Sequence, residues 1–249
     1  MKPTGPVVLV PVGSAIDPAC DDALRELERR GYTVRRVRGY SAIDSARNQM
    51  ATDALADGFD ELVWIDSDVV FRPDDVDALR ANGRPLACAL YPKKGPREFA
   101  CNFLPGTAAV TFGKAGGLVP IQYCGFGFVY TRRDVYDRVQ NRFQLPVLNR
   151  RFGKPLVPYF APFWVGEGDD AHYLAEDYAF CERARQAGFE LVADTRIRLW
   201  HVGSYRYSWE DAGSDKQRFG TYTFHINGEA KPADPSPPVA PLSDPGPLR

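Results

Sequence analysis

Apolar residues recur along this chain as short continuous runs separated by longer amphipathic stretches. Val7 to Val12 reads VVLVPV, a run of the kind that forms a strand buried on both faces of a parallel sheet. A helix is expected directly after it. Asp17 is a suitable N-cap, Pro18 fits the first helical position, Leu24 and Leu27 supply an apolar stripe, and Gly31 stands where a C-terminal glycine belongs. The alternation continues with a strand near Thr33 to Val37, a helix from about Ser41 to Ala56 ending at Gly58, and a strand at Glu61 to Ile65. Pro73 opens another helix with Val76 and Leu79 on its buried side, and Pro85 to Leu90 is the next strand. Strands alternating with helices of about ten to fifteen residues predict right-handed crossovers and an α/β fold with a doubly wound, mainly parallel central sheet.

From Phe99 to Tyr130 the pattern changes to short β-prone pieces divided by Pro105-Gly106, Gly113 and Gly116-Gly117, which predicts a small antiparallel or mixed part. A helix near Arg132 to Gln140 follows. The stretch from Asn149 to Ala175 is rich in proline and aromatic residues without clear periodicity, and so long a loop inside a domain is usually functional or mobile. A helix from about Glu176 to Ala187, capped by Gly188, and strands near Glu190 to Ala193 and Arg196 to His201 close the pattern. Seven of the 21 prolines fall in the final 21 residues, where aromatic residues are absent. The expected division is therefore one domain over 1–228 and an extended or disordered Pro-rich tail over 229–249.

Composition narrows the class without naming a function. Of 249 residues, 44% are hydrophobic and 25% charged, as in an ordinary globular protein with a substantial core. The 31 Lys and Arg balance 32 Asp and Glu to a formal charge of -1, so the whole chain has no electrostatic footprint for nucleic acid or an anionic membrane. Any anion site has to be local. Cys20, Cys88, Cys101, Cys124 and Cys181 are odd in number and lack CxxC spacing, which suits reduced, buried thiols better than disulfides or a zinc site. No run reaches the roughly eighteen apolar residues of a membrane span, and the start is too short and Pro-broken for a secretory segment. A cytoplasmic location and no transmembrane segment are expected.

The most informative segment is Leu62 to Asp68, LVWIDSD, where an apolar strand ends in two aspartates separated by Ser67. Ligands of open α/β sheets bind beyond the carboxyl ends of the strands, so these carboxylates face the expected crevice. Hard carboxylate oxygens there suit Mg2+ or Mn2+, and such an ion bridges the oxygens of a diphosphate. The plainer alternative is a polar strand exit in which Asp66 or Asp68 caps the next turn. No GxGxxG or Walker pattern occurs, which argues against a dinucleotide enzyme or a P-loop NTPase.

Asp66-Ser67-Asp68, at the end of a buried strand some 60 residues after a β-α start, resembles the Asp-x-Asp signature of nucleotide-sugar-dependent glycosyltransferases with the GT-A fold, family 2-like. Tyr123-Cys124-Gly125-Phe126-Gly127-Phe128 is similar to the glycine- and aromatic-rich strand beside the acceptor in these enzymes. Ala175-Glu176-Asp177-Tyr178-Ala179-Phe180 resembles their Glu-Asp motif, and Leu199-Trp200-His201-Val202-Gly203 their late strand ending in a metal-binding histidine. The four motifs stand in family order across residues 7 to 203.

The resemblance implies a donor UDP- or GDP-sugar, a hydroxyl acceptor (glycan, lipid or small molecule) and Mn2+ or Mg2+. Asp68 would coordinate the metal, Asp66 would contact the ribose or the metal and its water shell, and His201 would be a further ligand. On its own chemistry His201 reads as a half-buried histidine beside Trp200. Asp177 would take the acceptor proton in an inverting enzyme, with Glu176 as a neighbour that bonds the acceptor; in a retaining enzyme Asp177 would orient a group instead. An acidic first helical turn fits both residues equally well. Asp44-Ser45-Ala46-Arg47-Asn48 resembles a segment preceding the Asp-x-Asp strand, which makes Arg47 a donor contact, to diphosphate or nucleobase, or else a residue on a solvated helix face. Pro11, Val12 and Gly13 open at the same sheet edge and complete the donor side with Ser67. Gly125, Phe126, Gly127 and Trp164 are the acceptor candidates, flat aromatic faces being suited to sugar rings. Rival readings are a sugar-phosphate nucleotidyltransferase and a non-catalytic sugar-nucleotide or glycan-binding module. The first opens with a basic Gly-rich loop, whereas the loop here, GSAIDPA, has neither Arg nor Lys.

Overall fold

The computed structural model describes residues 5–95, 98–212 and 221–226; the expected tail lies outside the described residues. The first part alternates as the pattern predicts: β1 (Val7–Pro11), α1 (Pro18–Arg29), β2 (Thr33–Val37), α2 (Ile43–Ala56), β3 (Glu61–Ile65), a short β4 (Val69–Val70), α3 (Pro73–Ala81) and β5 (Leu86–Cys88). Strands β6 (Cys101–Phe103), β7 (Ala109–Gly113), β8 (Leu118–Cys124) and β9 (Phe128–Arg132) then lead into α4 (Arg133–Phe143). The remainder comprises β10 (Phe163–Val165), β11 (His172–Leu174), α5 (Glu176–Gln186), β12 (Leu191–Asp194), β13 (Trp200–Val202), β14 (Arg206–Tyr207) and β15 (Thr221–His225).

Local chemistry sets these boundaries. The Asp17 carboxylate accepts from the backbone N–H groups of Ala19 and Cys20 at 2.9 and 3.3 Å, with Pro18 at the first helical position. Gly31 adopts φ 90° just past α1, a left-handed conformation that a residue with a Cβ resists.

Eight strands form the central sheet in the order β2-β1-β3-β9-β5-β12-β8-β6. Six of them point the same way; β9 and β8 run against the others. Strand alternation then divides the core between two faces. Val7, Leu9, Leu62 and Trp64 join one buried cluster with α2, α4 and α5, while Val8, Val10, Val63 and Ile65 join another with α1 and α3. Burial on both faces explains why these strands are continuously apolar. All five cysteines are free and buried. Among the described residues no helix is long and apolar enough to cross a membrane.

Three elements differ from expectation. The Asn149 to Ala175 stretch contains a β10–β11 hairpin, and α2 anchors it: Asn48 Oδ1 accepts from the Phe160 N–H at 2.7 Å and Thr52 Oγ1 from Val157 at 2.9 Å. The late strand begins at Trp200 rather than Arg196, because the Arg196 N–H and guanidinium both turn back onto Asp194. Finally, β15 pairs along β7, and two-residue β4 pairs with β13, neither of which local periodicity signals.

Candidate active site

Because β1, β3 and β5 point the same way while β9 is reversed, the carboxyl ends of the first three and the start of β9 meet at one sheet edge. A cleft of about 660 Å³ opens there. Of the residues singled out in the sequence, Pro11, Gly13, Arg47, Asp66, Ser67, Asp68, Phe126, Glu176 and Asp177 line it. Val12 lies beneath as a core residue and donates its N–H to the Val37 carbonyl. A larger neighbouring depression of about 830 Å³ shares Ser14, Ala15, Ile16 and Pro18 with the cleft, but its Asp21, Glu28 and Arg36 are satisfied by one another. The smaller cleft is the one that gathers the candidate chemistry.

The short β4–β13 pairing explains how two distant motifs converge. With His201 opposite Val69 and the Val202 N–H donating to the Asp68 carbonyl at 2.7 Å, His201 is brought beside Asp68. Its Nε2 stands 3.7 Å from Asp68 Oδ1, and its Nδ1 is 2.9 Å from the Pro92 carbonyl. A carbonyl only accepts, so Nδ1 carries hydrogen, and in the neutral ring Nε2 presents its lone pair toward a carboxylate. Two acceptors facing each other call for a proton or a metal cation between them. Lys94 Nζ lies 2.5 Å from the other oxygen, Asp68 Oδ2. Burial pushes the Asp68 carboxyl up, yet His201 and Lys94 together hold it down at about 2.

Asp66 is turned elsewhere. Arg47 donates to Asp66 Oδ1 at 2.9 Å and to the Phe126 carbonyl at 3.3 Å, and its Nε is 3.6 Å from Glu176 Oε1. The residue is 2% exposed, so the solvated-face alternative for Arg47 is replaced by a buried guanidinium under the cleft floor. The reason is visible in the packing: its guanidinium lies within 6 Å of the Trp64 and Phe126 rings, which cover it. Burial alone would lower its affinity for the proton, but Asp66, Glu176 and Asp177 around it raise it, so the charge persists. Asp177, at the start of α5, accepts from the Tyr178 N–H at 2.7 Å. Burial, and after it the Glu176 charge, pushes the Asp177 carboxyl up to about 6.

The acceptor candidates separate. Phe126 is 1% exposed, its ring packed among Trp64, Phe160 and Phe180. A Cβ on Gly125 or Gly127 would stand 2.6 or 2.5 Å from the Tyr91 hydroxyl, so the two glycines make room for that side chain. Only Trp164, 74% exposed on the hairpin opposite Tyr173, offers a free aromatic face. Tyr91, Pro92 and Lys94 were missed in the sequence, although a Tyr-Pro-Lys-Lys segment following a parallel strand was a signal for them. Tyr91 accepts from the Gly127 N–H at 2.9 Å, Pro92 holds His201, and Lys94 meets Asp68.

No protein-family model matches the chain, and no curated protein matches it. Solved structures do. The chain is similar to A197 from STIV at 14% identity and TM-score 0.52, over 88% of this chain and 98% of that one. It is also similar to GalNAc-T7 with UDP, GalNAc and Mn2+ (10% identity, TM-score 0.44, 83% of this chain and 46% of that one). A third is the inositol-1-phosphate CTP transferase from T. maritima (11% identity, TM-score 0.36, 84% and 73%). What is shared is the fold. The α/β architecture with its large, mostly parallel sheet is the extent of the likeness to A197.

Among the described residues no three His, Cys, Asp or Glu side chains converge as a complete metal cage. Asp68 and His201 nevertheless fit an ion held partly by substrate, since Mg2+-like sites combine one or two carboxylates with phosphate oxygens and water. The charge balance agrees. Among the described residues, Asp17, Asp66, Asp68, Glu176 and Asp177 line the cleft against Arg47 and Lys94, so an incoming diphosphate needs added positive charge.

Proposed function

We propose that this protein is a metal-dependent glycosyltransferase that moves a sugar from a nucleoside-diphosphate sugar, UDP- or GDP-linked, to an acceptor hydroxyl. The observation that carries the reading is the approach of His201 to Asp68, which lines one cleft with a carboxylate, Asp177, raised to about 6. Asp68 and His201 would hold Mn2+ or Mg2+, which supplies charge compensation for the diphosphate leaving group. Pro11, Gly13 and Ser67 border the nucleoside side, and Asp66, fixed by Arg47, presents its second oxygen to the donor. Asp177 removes the acceptor proton as the hydroxyl attacks, which favours inversion; Glu176, tied to Arg47, steadies the same end of the cleft. Trp164 lies on the hairpin that leads directly into α5 and offers its face to an acceptor sugar ring.

Calorimetry with nucleotides distinguishes this reading from its rivals. UDP or GDP binds only when Mn2+ is present, and Asp68→Asn abolishes this Mn2+-dependent binding. Preference for a nucleoside triphosphate would instead indicate a nucleotidyltransferase, consistent with the shared fold but not with the loop Gly13 to Pro18, which lines the cleft without Lys or Arg. Glycan binding with no nucleotide binding would indicate a non-catalytic module.

A further inference from the structure

Among the described residues lining the cleft, Lys94 and Arg47 are the cationic side chains, and they differ in kind. Arg47 is buried and committed to Asp66, Glu176 and the Phe126 carbonyl. The Lys94 side chain is 36% exposed, and among the described residues its ammonium pairs with Asp68. Its stem is laid over Gly203, where a Cβ would stand 3.2 Å from the Lys94 Cδ. The backbone leading to it is fixed at Tyr91 and Pro92 by the bonds to Gly127 and His201, so the four-carbon stem swings from an anchored base. A cation is thus parked on the very carboxylate that faces the Nε2 of His201.

We propose that Lys94 serves two anions in turn. In the free protein it neutralises Asp68; when a divalent ion takes Asp68, its ammonium turns to the donor diphosphate and meets the charge of the leaving group. This rests on the metal-dependent donor reading above. As the acceptor oxygen bonds to the anomeric carbon and its proton passes to Asp177, the bond from that carbon to the diphosphate breaks and the electron pair stays on the phosphate oxygen. Lys94 stabilises that oxygen and neither gains nor loses a proton.

Lys94→Met separates the two duties. Without nucleotide, Mn2+ binding becomes about fivefold tighter, because the ion no longer displaces an ammonium or approaches a like charge. At saturating Mn2+, binding of UDP or GDP becomes about tenfold weaker through loss of a charge-assisted contact. Lys94→Arg retains most of the nucleotide binding, and Lys93→Met, whose parent side chain pairs with Glu98, changes neither quantity. Mn2+ binding that is unchanged or weaker in Lys94→Met, or unchanged nucleotide binding, overturns the role of Lys94 while leaving the metal site standing. A wild-type protein that binds neither Mn2+ nor a nucleoside diphosphate overturns the metal-dependent reading and this one with it.

Discussion

Asp177 carries opposite demands on folding and on chemistry. Its carboxyl binds a proton more tightly in the folded protein, at about 6, than at the ordinary value of 3.8. Stability linked to this group is therefore full below about pH 4 and is lost as the pH rises through 6. Asp177→Asn keeps the shape and removes the charge. Above pH 7 the variant is expected to be more stable by about 2 kcal/mol in thermal unfolding, with the gain vanishing near pH 4. Transfer activity falls by roughly 10²- to 10⁴-fold, as for a lost general base. In the parent protein kcat/KM rises with pH up to about 6 and then levels. A less stable variant at pH 8, or one with full activity, contradicts the assignment. Asp68 behaves in the reverse sense: held at about 2, its contacts with His201 and Lys94 stabilise the fold above about pH 4 and are lost as the pH falls.

At the scale of elements, legibility followed the range of the interactions. Helix α1 was readable because Asp17, Pro18 and Gly31 are local signals, and β3 because four consecutive positions, Leu62 to Ile65, are apolar up to Asp66. The pairing of β4 with β13 spans about 130 residues and only a few hydrogen bonds, so nothing near Val69 reports it; it is nonetheless what delivers His201 to Asp68. Arg47 was found through motif context, but its burial depends on Trp64 and Phe126, which reach it from β3 and from the turn between β8 and β9. The hairpin after α4 shows the same limit. Its inward residues Phe163 and Leu174 pack against the core while Trp164 and Tyr173 face outward, an alternation too short to recognise among prolines. Exposure of Trp164 allows its two roles to be separated. Trp164→Ala is expected to change stability by less than about 0.5 kcal/mol, since its side chain is 74% exposed. It lowers kcat/KM for a glycan acceptor several-fold and leaves release of nucleoside diphosphate without acceptor unchanged. Equal losses in both reactions, measured side by side, contradict an acceptor role.

The whole molecule places its charge with economy. Its formal charge of -1 hides a cleft that gathers, among the described residues, five carboxylates and two cations at the sheet edge where strands of one direction end. Such an edge is the general ligand site of doubly wound sheets, and one lined this way attracts a divalent cation before it attracts a diphosphate. The central claim is that Asp68 makes donor turnover metal-dependent. It is tested most directly by incubating the protein with pooled UDP- and GDP-sugars, with and without Mn2+, and measuring released nucleoside diphosphate for the parent chain and for Asp68→Ala. Release by the parent chain only with Mn2+, and its loss in an Asp68→Ala protein that melts as a folded domain, is the expected result; unchanged release in that variant contradicts the claim.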